Sequence, residues 1–245
     1  MRYLKSHPFA VEAYFKHSIV LTFAVPQQAL QSLIPPCLTL DTYKDQWAFI
    51  AVAMVDTSQL RPKGFPAFMG RDFFLIGYRI FVRYTSKDGK NLRGLYILKS
   101  ETNSKAMQVL GNMLTHYAYT TTDIVQQEND EKLHIHSNQS GIDVIINKRN
   151  ENASLPIDSP FENWQHARRY AGPLPHTFTF DAKTNEVLII EGVRSNWVPK
   201  PIEVVSHNID FLDKLNLGTI VLANAFELKN IPYYWKKGRV EIWQP

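Results

Sequence analysis

Lys99 occupies the position where chemistry is most directly suggested. Along residues 91–101, Leu95, Ile97, Lys99 and Glu101 recur with period two and so share one face of a strand. Buried on such a face, an ammonium loses solvation and its pKa falls. The free amine is then a nucleophile that can condense with a carbonyl. The plainer reading is a lysine near a strand end that carries its amine out to water. On the preceding run, Arg79 and Arg83 share a face with Leu75, Gly77 and Phe81. A guanidinium there offers a carboxylate a rigid fork of donors. The segment Leu133-His134-Ile135-His136 puts two histidines on one strand face, a spacing that can chelate zinc, but no pattern supplies a third ligand. Solvated histidines and no metal are expected. Residues His166 to Arg169 read as a solvated basic helix face, and Cys37 as a small core residue. Trp197, Tyr233, Tyr234 and Trp235 either line a pocket or simply pack at strand ends.

The element that positions Lys99 and Arg79 is a β-hairpin. Two runs rich in β-branched and aromatic residues, 72–84 and 92–100, flank Lys87-Asp88-Gly89-Lys90, and Asp-Gly between such runs is a strong hairpin signal. In the first run Phe74, Ile76, Tyr78, Ile80, Val82 and Tyr84 form an apolar and aromatic face. Upstream, 11–25 reads as a long strand with Ala13, Phe15, His17, Ile19, Leu21 and Phe23 on one face and Lys16 on the other. Pro26 opens a short helix that Pro35-Pro36 ends, and strands follow at 37–41 and 47–56. Asp56-Thr57-Ser58 reads as an Asx or ST turn, and the prolines and glycines of 57–71 predict a loop. A helix over 104–117, capped by Asn103 or Ser104, follows the hairpin. Strands are expected at 118–126, 131–137, 141–148, 176–181 and 186–194, with an extended stretch at 200–206 and a last apolar strand at 218–231. Two more helices are expected, one over 160–172 stopped by Gly172-Pro173 and one over 208–216. Many short strands with few helices and no repeat or linker predict a single α+β domain over residues 1–245, dominated by antiparallel sheet.

Composition narrows the function class. Twenty-seven lysines and arginines against 23 acidic residues leave a small, scattered positive excess, apart from Lys236, Lys237 and Arg239. No basic stripe argues for nucleic acid. The most apolar run, 48–55, is too short to cross a bilayer, and no apolar segment follows the first basic residues as in a signal peptide. A single cysteine excludes an internal disulfide framework. The expectation is a cytoplasmic protein that engages neither membrane nor nucleic acid.

Two blocks carry a resemblance. Ala29-Leu30-x4-Pro35-x2-Leu38-x2-Asp41, followed by Ala53-Met54-x-Asp56-Thr57-Ser58-x-Leu60, resembles the N-terminal part of acetoacetate decarboxylase. Over residues 10–235 the chain is similar to the bacterial family DUF2071, also called YqjF-like, of the acetoacetate decarboxylase-like superfamily. The features are the helix and proline pair before Leu38, the strand bearing Arg79, Gly94-Leu95-Tyr96, and the ending Ala225-Phe226-x4-Ile231-Pro232-Tyr233-x-Trp235. The resemblance implies a mostly antiparallel, cone-like β-barrel with peripheral helices, an internal ligand cavity and a homo-oligomer of at least two copies. It sets the decarboxylase's Schiff-base lysine at or beside Lys99 and a cavity arginine at Lys16. The adjacent lysine of that enzyme is absent, since Leu98 and Ser100 flank Lys99. One catalytic glutamate falls on Ile50, and no glutamate lies between Gln59 and Arg71 for another. Of the family's Glu-x-Asn-x-Arg pattern only Arg79 stands, in Leu75-Ile76-Gly77-Tyr78-Arg79.

Two functions follow. The first is a lyase-type enzyme acting on a small oxo acid or other carboxylated carbonyl compound, with Lys99 as nucleophile or proton shuttle. Arg79, with Lys16 or Arg83, would hold the carboxylate, and no cofactor is needed. The second is a non-catalytic protein that binds a small acidic or apolar ligand.

Overall fold

Gly89 takes a left-handed conformation, φ 71°, in the tight turn that folds the central hairpin back on itself. The turn is closed by the Ser86 amide on the Lys90 carbonyl, 2.9 Å, and the Gly89 amide on the Ser86 carbonyl, 2.8 Å. The computed structural model describes residues 4–150, 153–171 and 174–244. In chain order the strands are β1 (Val11–Pro26), β2 (Thr39–Leu40), β3 (Trp47–Pro62), β4 (Arg71–Thr85), β5 (Asn91–Thr102), β6 (Tyr119–Thr121), β7 (Val125–Glu128) and β8 (Lys132–Ser137). There follow β9 (Ile142–Asn147), β10 (His176–Asp181), β11 (Glu186–Arg194), β12 (Lys200–Pro201), β13 (Glu203–Ile209), β14 (Val221–Trp235) and β15 (Arg239–Ile242). Four α-helices accompany them among the described residues: α1 (Gln27–Gln31), α2 (Lys105–Leu114), α3 (Trp164–Ala171) and α4 (Asp210–Lys214).

Seven strands form a barrel-like ring in the order β14-β1-β3-β4-β5-β10-β11, which returns to β14. Every pairing in the ring is antiparallel except β5 with β10. The outer face of the ring is the strongly apolar one. Ile19, Leu21 and Phe23 of β1, Ile50, Val52 and Met54 of β3, and Ile76, Tyr78 and Ile80 of β4 pack against a second sheet, β13-β9-β8-β7, through Ile135, Ile142 and Val144. The inner face of β3 carries smaller side chains, Ala51, Ala53 and Val55. Large residues outside and small ones inside leave the ring hollow at one end, and Phe49, Phe81, Phe161 and Tyr170 fill the other.

The hairpin, the strands at 176–181 and 186–194, and the Ser104-capped helix form where the sequence places them, the Ser104 hydroxyl accepting from the Met107 amide at 3.2 Å. Other features differ. β3 runs on to Pro62, so Asp56, Thr57 and Ser58 lie in a strand rather than a turn, and the expected loop over 57–71 is confined to residues 63–70, which include a 3-10 turn at Ala67–Met69. The expected strand 118–126 is two: β6 pairs with β5, and β7 edges the second sheet. β15, which contains Arg239 of the basic cluster, pairs with β11. The expected helix stop Gly172-Pro173 lies outside the described residues. Two bulges overturn expected faces. Between Phe15 and His17 the β1–β3 register shifts, so Phe15 joins Ser18 and Val20 inside the ring while Ile19 and Leu21 turn outward. Between Tyr78 and Arg79 the β4–β5 register shifts: Arg79 faces Ile97, but Tyr78 faces Lys99. An extra residue at Leu98 reverses the alternation that would have aligned Lys99 with Leu95 and Ile97.

The parallel β5–β10 pairing is short, Gly94 to Tyr96 against His176 to Phe178. A Cβ on Gly94 would lie 2.4 Å from the His176 carbonyl oxygen and 2.6 Å from the Phe178 ring. Gly94→Val is expected to cost about 1–3 kcal/mol by overpacking this seam, read as a lower denaturation midpoint; an unchanged midpoint would mean that the seam yields freely.

Candidate ligand-binding cavity

All seven ring strands contribute to one cavity of about 580 Å³. Its wall is mostly apolar: Val20, Ala53, Val55, Leu75, Leu95 and Ile97 among others, with aromatic Phe15, Tyr119, Tyr233 and Trp235. Helix α2 adds Met107, Leu110 and Met113 at the rim. Among the described residues that line it there is no lysine, aspartate or glutamate. The charged lining residues are arginines. Arg61 is paired with Glu12 at 2.8 Å, and Arg71 is exposed. Arg79 and Arg194 are the two that project deeper.

Arg79 leaves β4 on the inner face and lies back over Gly77, where a Cβ would meet its Nε at 2.8 Å. That Nε is buried without a hydrogen-bond partner. The surface Arg79 keeps accessible is surface of the cavity. Burial lowers its pKa from the ordinary value, and the neighbouring Tyr233, Tyr119 and Tyr117 act the other way. It remains a guanidinium cation, because arginine is not deprotonated in proteins. Arg194, at the end of β11, donates to the Tyr233 hydroxyl at 3.1 Å and stacks on Trp197, 4.2 Å from the ring centroid. Its Nε and Nη2 are buried and without hydrogen-bond partners. Burial again pulls its pKa down. Gly192 makes room here too, since a Cβ would fall 1.9 Å from the Tyr233 hydroxyl oxygen. Burial pushes the Tyr119 hydroxyl up to about 12 and raises Tyr117 as well, so both are neutral donors at physiological pH. The arrangement suits a ligand with an apolar body and a negatively charged head.

Of the residues singled out in the sequence, Arg79 is placed in the cavity together with Tyr233, Trp235 and Trp197. Lys99 is placed elsewhere. Turned outward by the bulge, its amine donates to Glu101 Oε1 at 2.6 Å and lies 5.3 Å from the Phe211 ring centroid. Glu101 is buried and also accepts from the Tyr78 hydroxyl at 2.8 Å. Lys16 is exposed at the β1 bulge, 3.5 Å from Asp72. Arg83 follows Arg79 along β4 but lies beyond Phe81, where buried Asp41 holds it at 2.7 Å and Arg93 at 2.5 Å. Arg93 in turn packs over Tyr170, 5.6 Å away, so this triad braces the filled end of the ring. His134 bonds Asp143 at 3.1 Å and its ring lies 4.7 Å from that of His136; among the described residues no cluster of His, Cys, Asp and Glu is gathered to hold a metal. Arg194 was missed by sequence reasoning. A signal exists: Gly77-x-Arg79 and Gly192-x-Arg194 share a pattern in which glycine clears the strand face beside the arginine.

The family DUF2071, described as an uncharacterised conserved protein, matches residues 12–224. No curated protein matches the chain. Among solved structures it is similar to acetoacetate decarboxylase from Legionella pneumophila, with TM-score 0.64, 10% identity, and coverage of 96% of this chain and 88% of that one. It is similar to the enduracididine biosynthesis enzyme MppR complexed with pyruvate, with TM-score 0.57 and 9% identity over 97% of this chain and 92% of that one. An acetoacetate decarboxylase-like enzyme from Sphingomonas wittichii RW1 aligns at TM-score 0.50 and 11% identity over 97% and 91%. At such identities the likeness is one of fold.

Lys99→Met is expected to lower stability by about 1–3 kcal/mol, because it removes a charge-assisted hydrogen bond from the buried Glu101 carboxylate. Ligand affinity in the cavity should stay unchanged. Denaturant melts with and without ligand check both, and a loss of binding in a fully folded variant would contradict the placement of Lys99.

Proposed function

We propose, for a chain that belongs to the DUF2071 family and has the acetoacetate decarboxylase-like fold, that its cavity binds a small carboxylated molecule with an apolar body. The observation that carries this is Arg79, a buried guanidinium in an apolar cavity with no acidic residue among the described lining. A buried cation left without a partner costs several kcal/mol, and a carboxylate supplies both the charge and the acceptors. The cavity volume falls within the range of small-molecule sites and exceeds what a two- or three-carbon acid fills. The free Cys37 is consistent with work in the cytoplasm. A homodimer or larger assembly is part of the proposal on family resemblance.

A second reading, a lyase acting on an oxo acid, is supported by the fold shared with proteins named as decarboxylases and by the relative complexed with pyruvate. Among the described lining residues it finds no lysine, Lys99 being held by Glu101 outside the cavity. Borohydride trapping with a panel of 2- and 3-oxo acids, read by intact mass, separates the two. No adduct is expected; an adduct that Lys99→Ala abolishes would restore the Schiff-base reading.

In thermal-shift and calorimetric titrations, aliphatic and aromatic carboxylic acids are expected to stabilise the protein, whereas their amides are not. Arg79→Gln should weaken binding about tenfold to a hundredfold, the loss of a charge-assisted contact. Equal affinity for acids and amides would overturn the proposal.

A further inference from the structure

Exposed apolar side chains gather at the mouth of the cavity. Phe9, Leu110 and Met113 line it and are exposed as well, so they stand where it meets solvent. The 63–70 loop adds Phe65, Phe68 and Met69, all exposed, Phe68 with 87% of its surface in solvent. The cavity wall fixes where this loop lies. It runs between Pro62 and Arg71, which both line the cavity. A third lining residue, Arg61, donates from its Nε to the Phe65 carbonyl at 2.8 Å. At the far end Gly70 packs on the Gln59 backbone so closely that a Cβ would lie 2.5 Å from the Gln59 Cα. Between them the 3-10 turn Ala67–Met69 buries none of its residues. Apolar patches that open onto solvent in this way mark surfaces that dock on something.

The charge around the rim says on what. In the three segments that build it, 5–12, 60–72 and 105–116, the exposed lysines, arginines and acids are Lys63, Arg71, Lys105 and Asp72. The acid is occupied: Asp72 accepts from the Gln59 amide at 2.8 Å and lies 3.5 Å from Lys16. Glu12 is paired with Arg61 at 2.8 Å. The rim therefore faces outward as aromatic and thioether side chains among cations. A second copy related by a two-fold axis would set this face against itself, cation against cation. A bilayer needs no matching shape. It takes protruding apolar side chains at its interface while its acidic headgroups meet the basic ones. We infer that this rim docks on an anionic lipid bilayer, with the mouth of the cavity against the lipid. An amphiphilic ligand then reaches the cavity without crossing water. No helix among the described residues is long and apolar enough to cross a membrane, and docking requires none. The expectation of no membrane engagement rested on contiguous runs along the chain, whereas this rim is assembled from three separate segments. The inference stands on the rim alone and needs neither Arg79 nor the carboxylate reading.

The full chain is mixed with vesicles of phosphatidylcholine, with or without about 30% phosphatidylglycerol, and the bound fraction is read by sedimentation. Binding to the anionic vesicles is expected to exceed binding to the neutral ones by at least about tenfold, and to fall severalfold when salt is raised to about 0.5 M. Phe68→Asp should weaken it by at least about tenfold. Thermal melting confirms that this variant is folded, and Phe68→Ser replaces it if it is not. Lys63→Glu combined with Lys105→Glu should abolish the preference for the anionic vesicles. Absence of binding to either vesicle, equal binding to both, or binding that Phe68→Asp leaves unchanged would overturn the inference. So would sedimentation velocity showing a dimer that Phe68→Asp splits, which would give the rim to a second copy. The acid and amide titrations of the cavity are read separately, so failure of docking leaves the carboxylate reading standing.

Discussion

Closure of the sheet into a ring is the constraint on which the rest of the structure depends. Ring closure abolishes the free edges of an antiparallel meander, but here it also creates an inside. The closure is made by two short seams, β5 with β10 and β11 with β14, each only three residue pairs long. Both seams need glycine. Gly94 lets the parallel strands approach, and Gly192 lets the Tyr233 side chain lie across the closing strand. The inside then divides by side-chain size. Aromatic rings fill one end and the Asp41–Arg83–Arg93 cluster braces it, while Ala51, Ala53 and Val55 leave the other end open.

A hollow apolar lumen would be dry and featureless without its polar side chains, and their sign decides its chemistry. The described lining has arginines and tyrosines but neither a carboxylate nor a lysine. Proteins named as acetoacetate decarboxylases share this fold. Function resides in the side chains a fold presents, and the likeness here, at about a tenth sequence identity, is one of fold. Lys99 makes the point concretely. It sits one bulge away from the lumen, and its amine is used to satisfy a buried glutamate that Tyr78 also contacts.

The β-bulge is the local device behind both departures from the expected faces. In β1 it sends Lys16 to the surface, and in β5 it sends Lys99 outward while Ser100 takes the inward position. A strand's side-chain period is two, so a single extra residue exchanges the faces for everything beyond it. The same device lets the outer face of the ring remain continuously apolar against the second sheet even as the inner face changes character along the strand.

Much of the fold was legible in the residues themselves. The Asp88-Gly89 turn, the alternation of Phe74 to Tyr84, the Ser104 cap and the strands at 176–181 and 186–194 are consequences of local chemistry, and local chemistry is written along the chain. Arg79 could be identified as a candidate for the same reason, since its strand face is set by neighbours two residues away. Which lysines and arginines meet was not legible. Bulges leave no reliable mark in composition, so Lys99 and Lys16 were assigned to the wrong side. Arg83 shares a strand face with Arg79, yet only the tertiary structure brings Asp41 to it. Arg194 lies 115 residues beyond Arg79, and the two enter one cavity because the ring closes, a long-range event no local pattern encodes. The sequence by itself determined the strands and their turns; the closure and the bulges decided which charges face the lumen.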